Sequence, residues 1–466
     1  MTAAGNNASE VWDEEADVVI VGAGDAGLAA AMESQDSGRS AVVFEKMGSV
    51  KSTSSAMAGG TFAFAGTDLQ QRYGVQDSKE LYFQDLMKVG QGKNCEPLVK
   101  VFLAEQLDCY DWLTALGVQW SKLIMTGGGS VPRGHRTDPV QHVQILQQAA
   151  EKRGAKVLFR TKVTELLTDD DKRVIGVSAQ SENRSWRVKA RNGVVLATGG
   201  FGYDKERMAA IGPAFAKVKV IVSPGHTGDG HRMAETLGAW CRHMEPDCLR
   251  PTIGVHASSQ SAKTNLLAFW EGAIVVNKLG NRFVNESLEN RSLGTATLSQ
   301  PDQIVFEIFD QKVLDRMQKG GAGRPAEEGS FKRMITAQTV EDLAAKIGIP
   351  SQTLKNTIDR YNDGVAKGRD PDFGRTHLAQ GVGTMTAIDA PPFYAFETSP
   401  WLPGTYGGIA VDEQMHVLTK DGIIPGLYGA GELVGGFHGA GYHAGSALAK
   451  ALVFGRIAGR NCAAGR

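Results

Sequence analysis

Residues 17–30 read DVVIVGAGDAGLAA. Asp17 is followed by an apolar run at 18–21, then Gly22-x-Gly24-x-x-Gly27, then a small-residue helix that starts near Leu28. Each glycine has a task in a strand–turn–helix unit. Gly22 permits the tight turn, Gly24 lets a pyrophosphate approach the backbone, and Gly27 lets the helix pack on the strand. The helix N-terminus adds N–H donors and the positive end of its dipole. A second apolar run, 41–44, ends at Glu45, 18 residues after Gly27. That is near the ~20 expected of an acid on ribose hydroxyls. Strand, glycine turn, helix and acid together predict a dinucleotide site, against the plainer reading of a glycine-rich turn in another α/β fold.

Glycine gathers elsewhere too. Residues 52–60, STSSAMAGG, follow the ribose acid directly. Alone they read as a surface loop; in this place, hydroxyls and bare backbone suit a diphosphate. Residues 193–202, GVVLATGGFG, read as a short strand and turn beneath the dinucleotide. Residues 429–445, GAGELVGGFHGAGYHAG, hold seven glycines in 17. They lie between an apolar stretch, 423–428, and a helical pattern, 446–457. This is a second strand, glycine loop and helix N-terminus, and it brings the chain back to complete the same site.

The 466 residues contain 57 glycines and 16 prolines, where about 33 glycines would be average. There is no collagen-like period or low-complexity tract. With 42% hydrophobic and 22% charged residues, the composition is that of a globular chain of roughly two or three domains. A net charge of −1 without a basic domain speaks against nucleic acid as a partner. No apolar run approaches the ~20 residues of a membrane span. The N-terminus, MTAAGNNASEVWDEEAD, has neither a basic start nor an apolar core, so no signal peptide is expected. Cys95, Cys109, Cys241, Cys248 and Cys462 form no CxxC pair or CxxCH haem site. The expectation is a reduced cytoplasmic protein without metal.

The chain resembles the flavoprotein family of soluble fumarate reductases, the succinate dehydrogenase flavoprotein subunit and 3-ketosteroid dehydrogenases. The segments that carry this are DVVIVGAGDAGLAAA, SSAMAGGT, VVLATGGFG, GHTGDGHRMAETLGA, AIVVNKLGNRFVNES, PGTYGGIAVD and IPGLYGAGELVGGFHGAGYHAGSALAKALVFGRIAG. They span 17–460 in the family's order. The resemblance implies an α/β fold: a Rossmann-type FAD-binding domain in two segments, 1–241 and 376–466, with an inserted α+β capping domain at 242–375. The SSAMAGG loop lacks the histidine to which membrane complexes attach flavin, so FAD is expected to be non-covalent. One GxGxxG–acid fingerprint implies no separate NAD(P)H site. Carried over by position, FAD contacts fall on Gly22, Gly24, Ala26, Gly27, Glu45, Lys46, Ser54, Ser55, Gly59, Gly60, Val163, Ala197, Thr198, Gly199, Asp229, Glu432, Ser446 and Leu448. Glu432 is expected at the ribityl chain, and the 446–457 helix N-terminus at the flavin O2 edge.

The substrate side departs from fumarate reductases, which grip two carboxylates with histidines and arginines. The family's HPT histidine falls on Arg250, its second histidine near Gly404 and Thr405, its late arginine on Tyr442, and its acid arginine on Asn290, beside Arg291. A dicarboxylate would be left under-compensated in a dry site. The ketosteroid dehydrogenase branch fits better. It shares the GTYGG at 404–408, and a tyrosine and glycine that fall on Tyr442 and Gly445. Two donors on a ketone oxygen stabilise enolate character while the β-hydrogen leaves as hydride. The plainer reading of Tyr442 is packing on the flavin.

The branch's proton-abstracting tyrosine is missing, because no tyrosine lies between 242 and 360. Arg291, Tyr406, Tyr110 or a water stand as replacements, although arginine seldom deprotonates. Arg250 and Arg291 are read either as carboxylate binders or as surface ion pairs, and Thr405 and Tyr110 as substrate contacts. VPRGHR at 131–136 is read as a loop or ion-pair segment, His438 as scaffold, and Cys241 and Cys248 as core. The expected activity is an FAD-dependent desaturation of a cyclic ketone, a small cyclohexanone or a 3-ketosteroid. Electrons would pass to a quinone-like acceptor or oxygen. Reduction of an enoate in the reverse sense is the alternative, and a flavin-binding electron-transfer subunit a third reading.

Overall fold

The computed structural model describes residues 11–246, 249–261, 264–288, 290–319, 328–379 and 383–465. The chain divides into two compact units. The first takes the described parts of Met1–Asp204, Val222–Cys248 and Thr405–Arg466; the second takes Lys205–Ile221 and Leu249–Gly404.

The first unit is built on an eight-stranded sheet. Strands β1 (Glu14–Val21), β2 (Ala41–Phe44), β3 (Lys156–Leu158), β4 (Arg184–Leu196), β5 (His416–Leu418) and β6 (Ile423–Gly429) run in the order β5-β6-β4-β1-β2-β3. All neighbours are parallel except β5 and β6. Buried on both faces, the second half of β1 (18–21) and all of β2 read as continuous apolar runs, as central parallel strands should. The register matters most at one edge. Val21 pairs with Phe44 and with Leu196, Leu196 with Gly429, and Phe44 with Leu158. The carboxyl ends of β1, β2, β4 and β6 therefore finish in one row, where open α/β sheets bind ligands.

Helix α1 (Asp25–Asp36) follows β1, and α2 (Glu96–Ala115), α3 (Pro139–Lys152) and the C-terminal α4 (Ser446–Ala464) pack in the same unit. α1 and α4 touch through backbone. A Cβ on Gly455 would stand 2.3 Å from the Ala26 carbonyl oxygen, and one on Gly459 2.4 Å from that of Ala30. Because 26 and 30 meet 455 and 459 in the same sense, the two helices run parallel. Gly455→Val is expected to cost about 1–3 kcal/mol through overpacking. The urea midpoint should fall accordingly; an unchanged midpoint would show that the helices can separate at no cost.

The second unit holds a four-stranded antiparallel sheet. Its strands lie in the order Ile274–Asn277, Val305–Asp310, Phe393–Thr398, Ile335–Ala337. Along Val305–Asp310 the side chains alternate between two cores. Val305 and Phe309 enter one; Phe306 and Ile308 enter the other with helices Val340–Ile347 and Ser351–Ala366. This α+β unit outruns the 242–375 expected from sequence. Phe393–Thr398 is its third strand, paired on both sides, so the unit closes at Gly404 rather than at 375. No described helix is long and apolar enough to cross a membrane.

Candidate active site

The row of strand ends gathers the predicted cofactor residues. Gly22 turns with φ +108°, and a Cβ there would lie 2.3 Å from the Ala197 carbonyl oxygen, so only glycine fits. Gly24 is the N-cap of α1 without a side-chain cap. A Cβ on it would meet only Ser55 Oγ, at 3.4 Å, so the loop is open where a diphosphate needs to approach. Ser55 Oγ accepts the Asp25 N–H at 3.0 Å, and Ala26 and Gly27 are buried in the first turn of α1. Glu45, just past β2, is buried; its carboxylate accepts the Ala23 N–H at 2.9 Å and the Met47 N–H at 2.7 Å. The acid therefore braces the glycine turn.

Lys46 donates to Thr227 Oγ1 at 2.6 Å and to Asp229 Oδ2 at 2.7 Å. Burial alone would raise the Asp229 carboxyl, but Lys46 and Thr227 bring it down to about 2. The folded state thus binds fewer protons there than the unfolded chain, whose Asp titrates near 3.8. The pair's stability is present above pH 4 and is lost as pH falls towards 2, about 2 kcal/mol in all. Asp229→Asn should lower the urea midpoint at pH 6 and make little difference at pH 2. An equal effect at both pH values would contradict this sign.

On the other side of the row, Ala197, Thr198 and Gly199 follow β4, and a Cβ on Gly199 would strike His226 Nε2 at 2.4 Å. His226 is buried, with Nε2 2.7 Å from Ser54 Oγ and Nδ1 3.6 Å from Glu432 Oε1. It joins two predicted cofactor segments. Sequence reasoning missed it, although it stands in the quoted GHTGDGH. Gly60 packs where a Cβ would meet the Thr137 carbonyl oxygen at 2.2 Å, and Gly59 beside it is exposed. Val163 is buried in the strand Lys162–Thr168.

The second glycine loop carries Tyr442. Three segments clamp this loop by backbone. Cys95 donates to the Gly436 carbonyl at 2.7 Å, Ala440 to that of Gly90 at 3.0 Å, and Ala444 to that of Gly127 at 2.9 Å. The Ala63 N–H closes it on the Gly445 carbonyl at 3.0 Å. Gly445 is the N-cap of α4, at φ +90° and without a side-chain cap. Its N–H points to Tyr442 Oη at 3.3 Å. The Tyr442 ring stacks on Tyr406 at 4.9 Å and 17°, and the edge of His438 meets both. Tyr442, Gly445 and Tyr406 are thus brought together on one preorganised loop system.

Three expectations change. Thr405 is 1% exposed, and its N–H and hydroxyl both turn to Glu432 Oε1, at 2.7 and 3.2 Å. It braces Glu432, and both its donors are turned away from a substrate. Tyr110 is 1% exposed, stacked on Trp120 and edged by Phe64 and His135, and its hydroxyl donates to Asp68 at 2.5 Å. It is a core residue, neither substrate contact nor base. In the second unit Arg291 is buried and donates to the Arg250 carbonyl at 2.7 Å. That contact makes it a backbone clamp. Cys241 packs half-buried against the core, and Cys248 lies outside the described residues.

The family described as FAD binding domain matches residues 17–448. The chain belongs to it. This flavoprotein binds FAD and is an oxidoreductase. It is 35% identical over 461 residues to the fumarate reductase (cytochrome) of Shewanella frigidimarina, covering 96% of this chain and 77% of the relative. A solved flavocytochrome c3 fumarate reductase in its open conformation matches with TM-score 0.81 at 31% identity, over 97% of this chain and 79% of that one. The 3-ketosteroid-Δ4-(5α)-dehydrogenase of Rhodococcus jostii RHA1 matches with TM-score 0.80 at 28% identity, over 98% and 99%. The family fits both sides of the expected branch point.

The geometry of the flavoprotein suits an extended dinucleotide. Gly455 meets Ala26 on the parallel α1, so α4 starts about eight residues, about 12 Å, beyond the start of α1. One uncapped helix end therefore stands at the diphosphate turn and a second lies further along. Ser446 and Leu448 sit on that second end, and Ser446 Oγ is tied to the His443 carbonyl at 2.7 Å.

Behind Tyr442 lies an ion-pair network. In VPRGHR, Arg133 is fully buried and forks onto Asp77 at 2.6 and 2.8 Å and onto Asp85 at 2.7 Å. It also lies 4.3 Å from the Tyr82 ring centroid and 3.4 Å from His443 Nε2. Burial, with Arg133 beside it, pushes the His443 imidazole down to about 3, so it stays neutral.

Proposed function

We propose that this flavoprotein desaturates a cyclic ketone at its α,β carbons. The observation that carries the reading is the approach of Tyr442 Oη and Gly445 N to 3.3 Å on one clamped loop. The Gly445 N–H now donates to the phenol oxygen; a carbonyl oxygen entering between them would take that N–H and the phenol O–H together. Tyr442 and Gly445 bind that oxygen and stabilise the enolate as the α-proton leaves. Tyr406, whose ring stacks on Tyr442, is the residue we assign to relay the proton. Bound FAD supplies the acceptor for the β-hydride.

The tyrosine at 442 in place of an arginine favours a single neutral carbonyl over a dicarboxylate. Arg250, whose backbone Arg291 holds, is kept as a candidate carboxylate binder. A small ring such as 4-oxocyclohexane carboxylate is as well accommodated in this reading as a steroid. We also take FAD as non-covalent, held by the eighteen positions named from the resemblance, and the acceptor as quinone-like or oxygen. We also take the protein as cytoplasmic.

A second reading, enoate reduction, is favoured by the relatives named fumarate reductases. Anaerobic mixing decides between them. Cyclohexanone, 4-oxocyclohexane carboxylate or a 3-ketosteroid is expected to bleach the flavin absorbance. If none does, and fumarate or another enoate reoxidises the reduced protein, the ketone reading is lost.

A further inference from the structure

Lys450 is a buried cation that the chemistry above does not use. It lies one turn into α4 and is 1% exposed. Its Nζ donates to the Val434 carbonyl at 3.1 Å and faces the rings of Phe437 and Phe454 at 5.8 and 5.9 Å. Glu432 is the carboxylate whose field reaches it, but that carboxylate already accepts from Thr405. An ammonium has three donors, and a buried charge with so little direct compensation is costly to keep. A methionine or leucine would fill the space between two phenylalanines and a carbonyl without that cost. The charge itself is therefore the property to explain.

Side chains on a helix lean towards its N-terminus. The Lys450 stem, four residues after Ser446, therefore leans towards the end of α4 that carries Ser446 and Leu448. We propose that Lys450 is the fixed counter-charge for reduced FAD. Uptake of two electrons and one proton leaves the bound cofactor one unit more negative than its oxidised form. A cation held in low dielectric favours that state over the oxidised one. Burial brings the Lys450 ammonium down to about 8 against the pull of Glu432, so it is mostly charged at neutral pH. The inference needs bound FAD and does not depend on the ketone assignment.

The test is the midpoint potential of the holoenzyme, titrated anaerobically with dithionite against a reference dye. Lys450→Gln keeps a donor for the Val434 carbonyl and removes the charge. It is expected to shift the equilibrium at least tenfold towards oxidised FAD, about 30 mV for a two-electron couple. Lys450→Arg should stay near the native potential. If Lys450→Gln does not fold, Lys450→Met takes its place between the two rings. If FAD is held too weakly for titration, the ratio of dissociation constants for oxidised and reduced FAD is measured instead, with the same tenfold change expected. A potential or a ratio within twofold of the native value overturns the proposal.

Discussion

Tyr442→Phe is expected to lower turnover on a cyclic ketone by about 100- to 1,000-fold while FAD remains at one per chain. The size follows from the loss of one preorganised donor at the developing oxyanion, about 3–4 kcal/mol. The ring stays, so its stack on Tyr406 and its edge contact with His438 stay too. Only the hydroxyl that faces the Gly445 N–H is removed. Because the contact strengthens as charge reaches the oxygen, kcat and kcat/KM should fall together. An enoate reductase would respond differently. There Tyr442 would hold a carboxylate already charged in the ground state, and the loss would appear chiefly in KM. Stopped-flow reduction with the ketone that bleaches the flavin separates the two. Unchanged turnover would remove Tyr442 from the chemistry and leave it as packing.

The strand–turn–helix unit at the start of the first sheet was legible in the sequence because its requirements are local. A glycine at 22 answers a turn whose clash is with the neighbouring strand end, and Glu45 sits where its own strand stops. Such features travel with a short motif. The substrate half depends on burial, and burial is decided by segments far apart in sequence. Tyr110 and Tyr442 are both tyrosines whose own sequence neighbours do not tell them apart as buried or open. One is sealed by Phe64, Trp120 and His135, and the other is left at a loop beside a helix end. Thr405 follows the same rule: its partner Glu432 lies 27 residues away and takes both its donors. The boundary at Gly404 was hidden because Phe393–Thr398 pairs with strands some 60 and 90 residues earlier. Lys450 and Arg133 look like surface residues in a linear reading, and only the fold reveals that they are inside.

Arg133→Met should be among the most destabilising single substitutions in the first unit, by about 3–5 kcal/mol. The guanidinium satisfies two carboxylates at once, with the bidentate fork on Asp77 and the remaining arm on Asp85. Removing it leaves both carboxylates facing one another in a dry site, where Gln70, Ser78 and Ser130 supply only neutral donors. The expected fall in Tm is roughly 5–9 °C for a unit of this size, with FAD held in excess. Lys at this position keeps the charge and loses the fork, so Arg133→Lys should fall between the two. The decisive comparison is Arg133→Met combined with Asp77→Asn and Asp85→Asn. If stranded charge causes the loss, neutralising both acids should restore more than half of it. If the triple variant is no better than Arg133→Met, the guanidinium acts through its packing against Tyr82 instead. The His443 contact ties this outcome to function. His443 lies two residues before Gly445, so a network that relaxes there loosens the loop that sets Tyr442 against the Gly445 N–H.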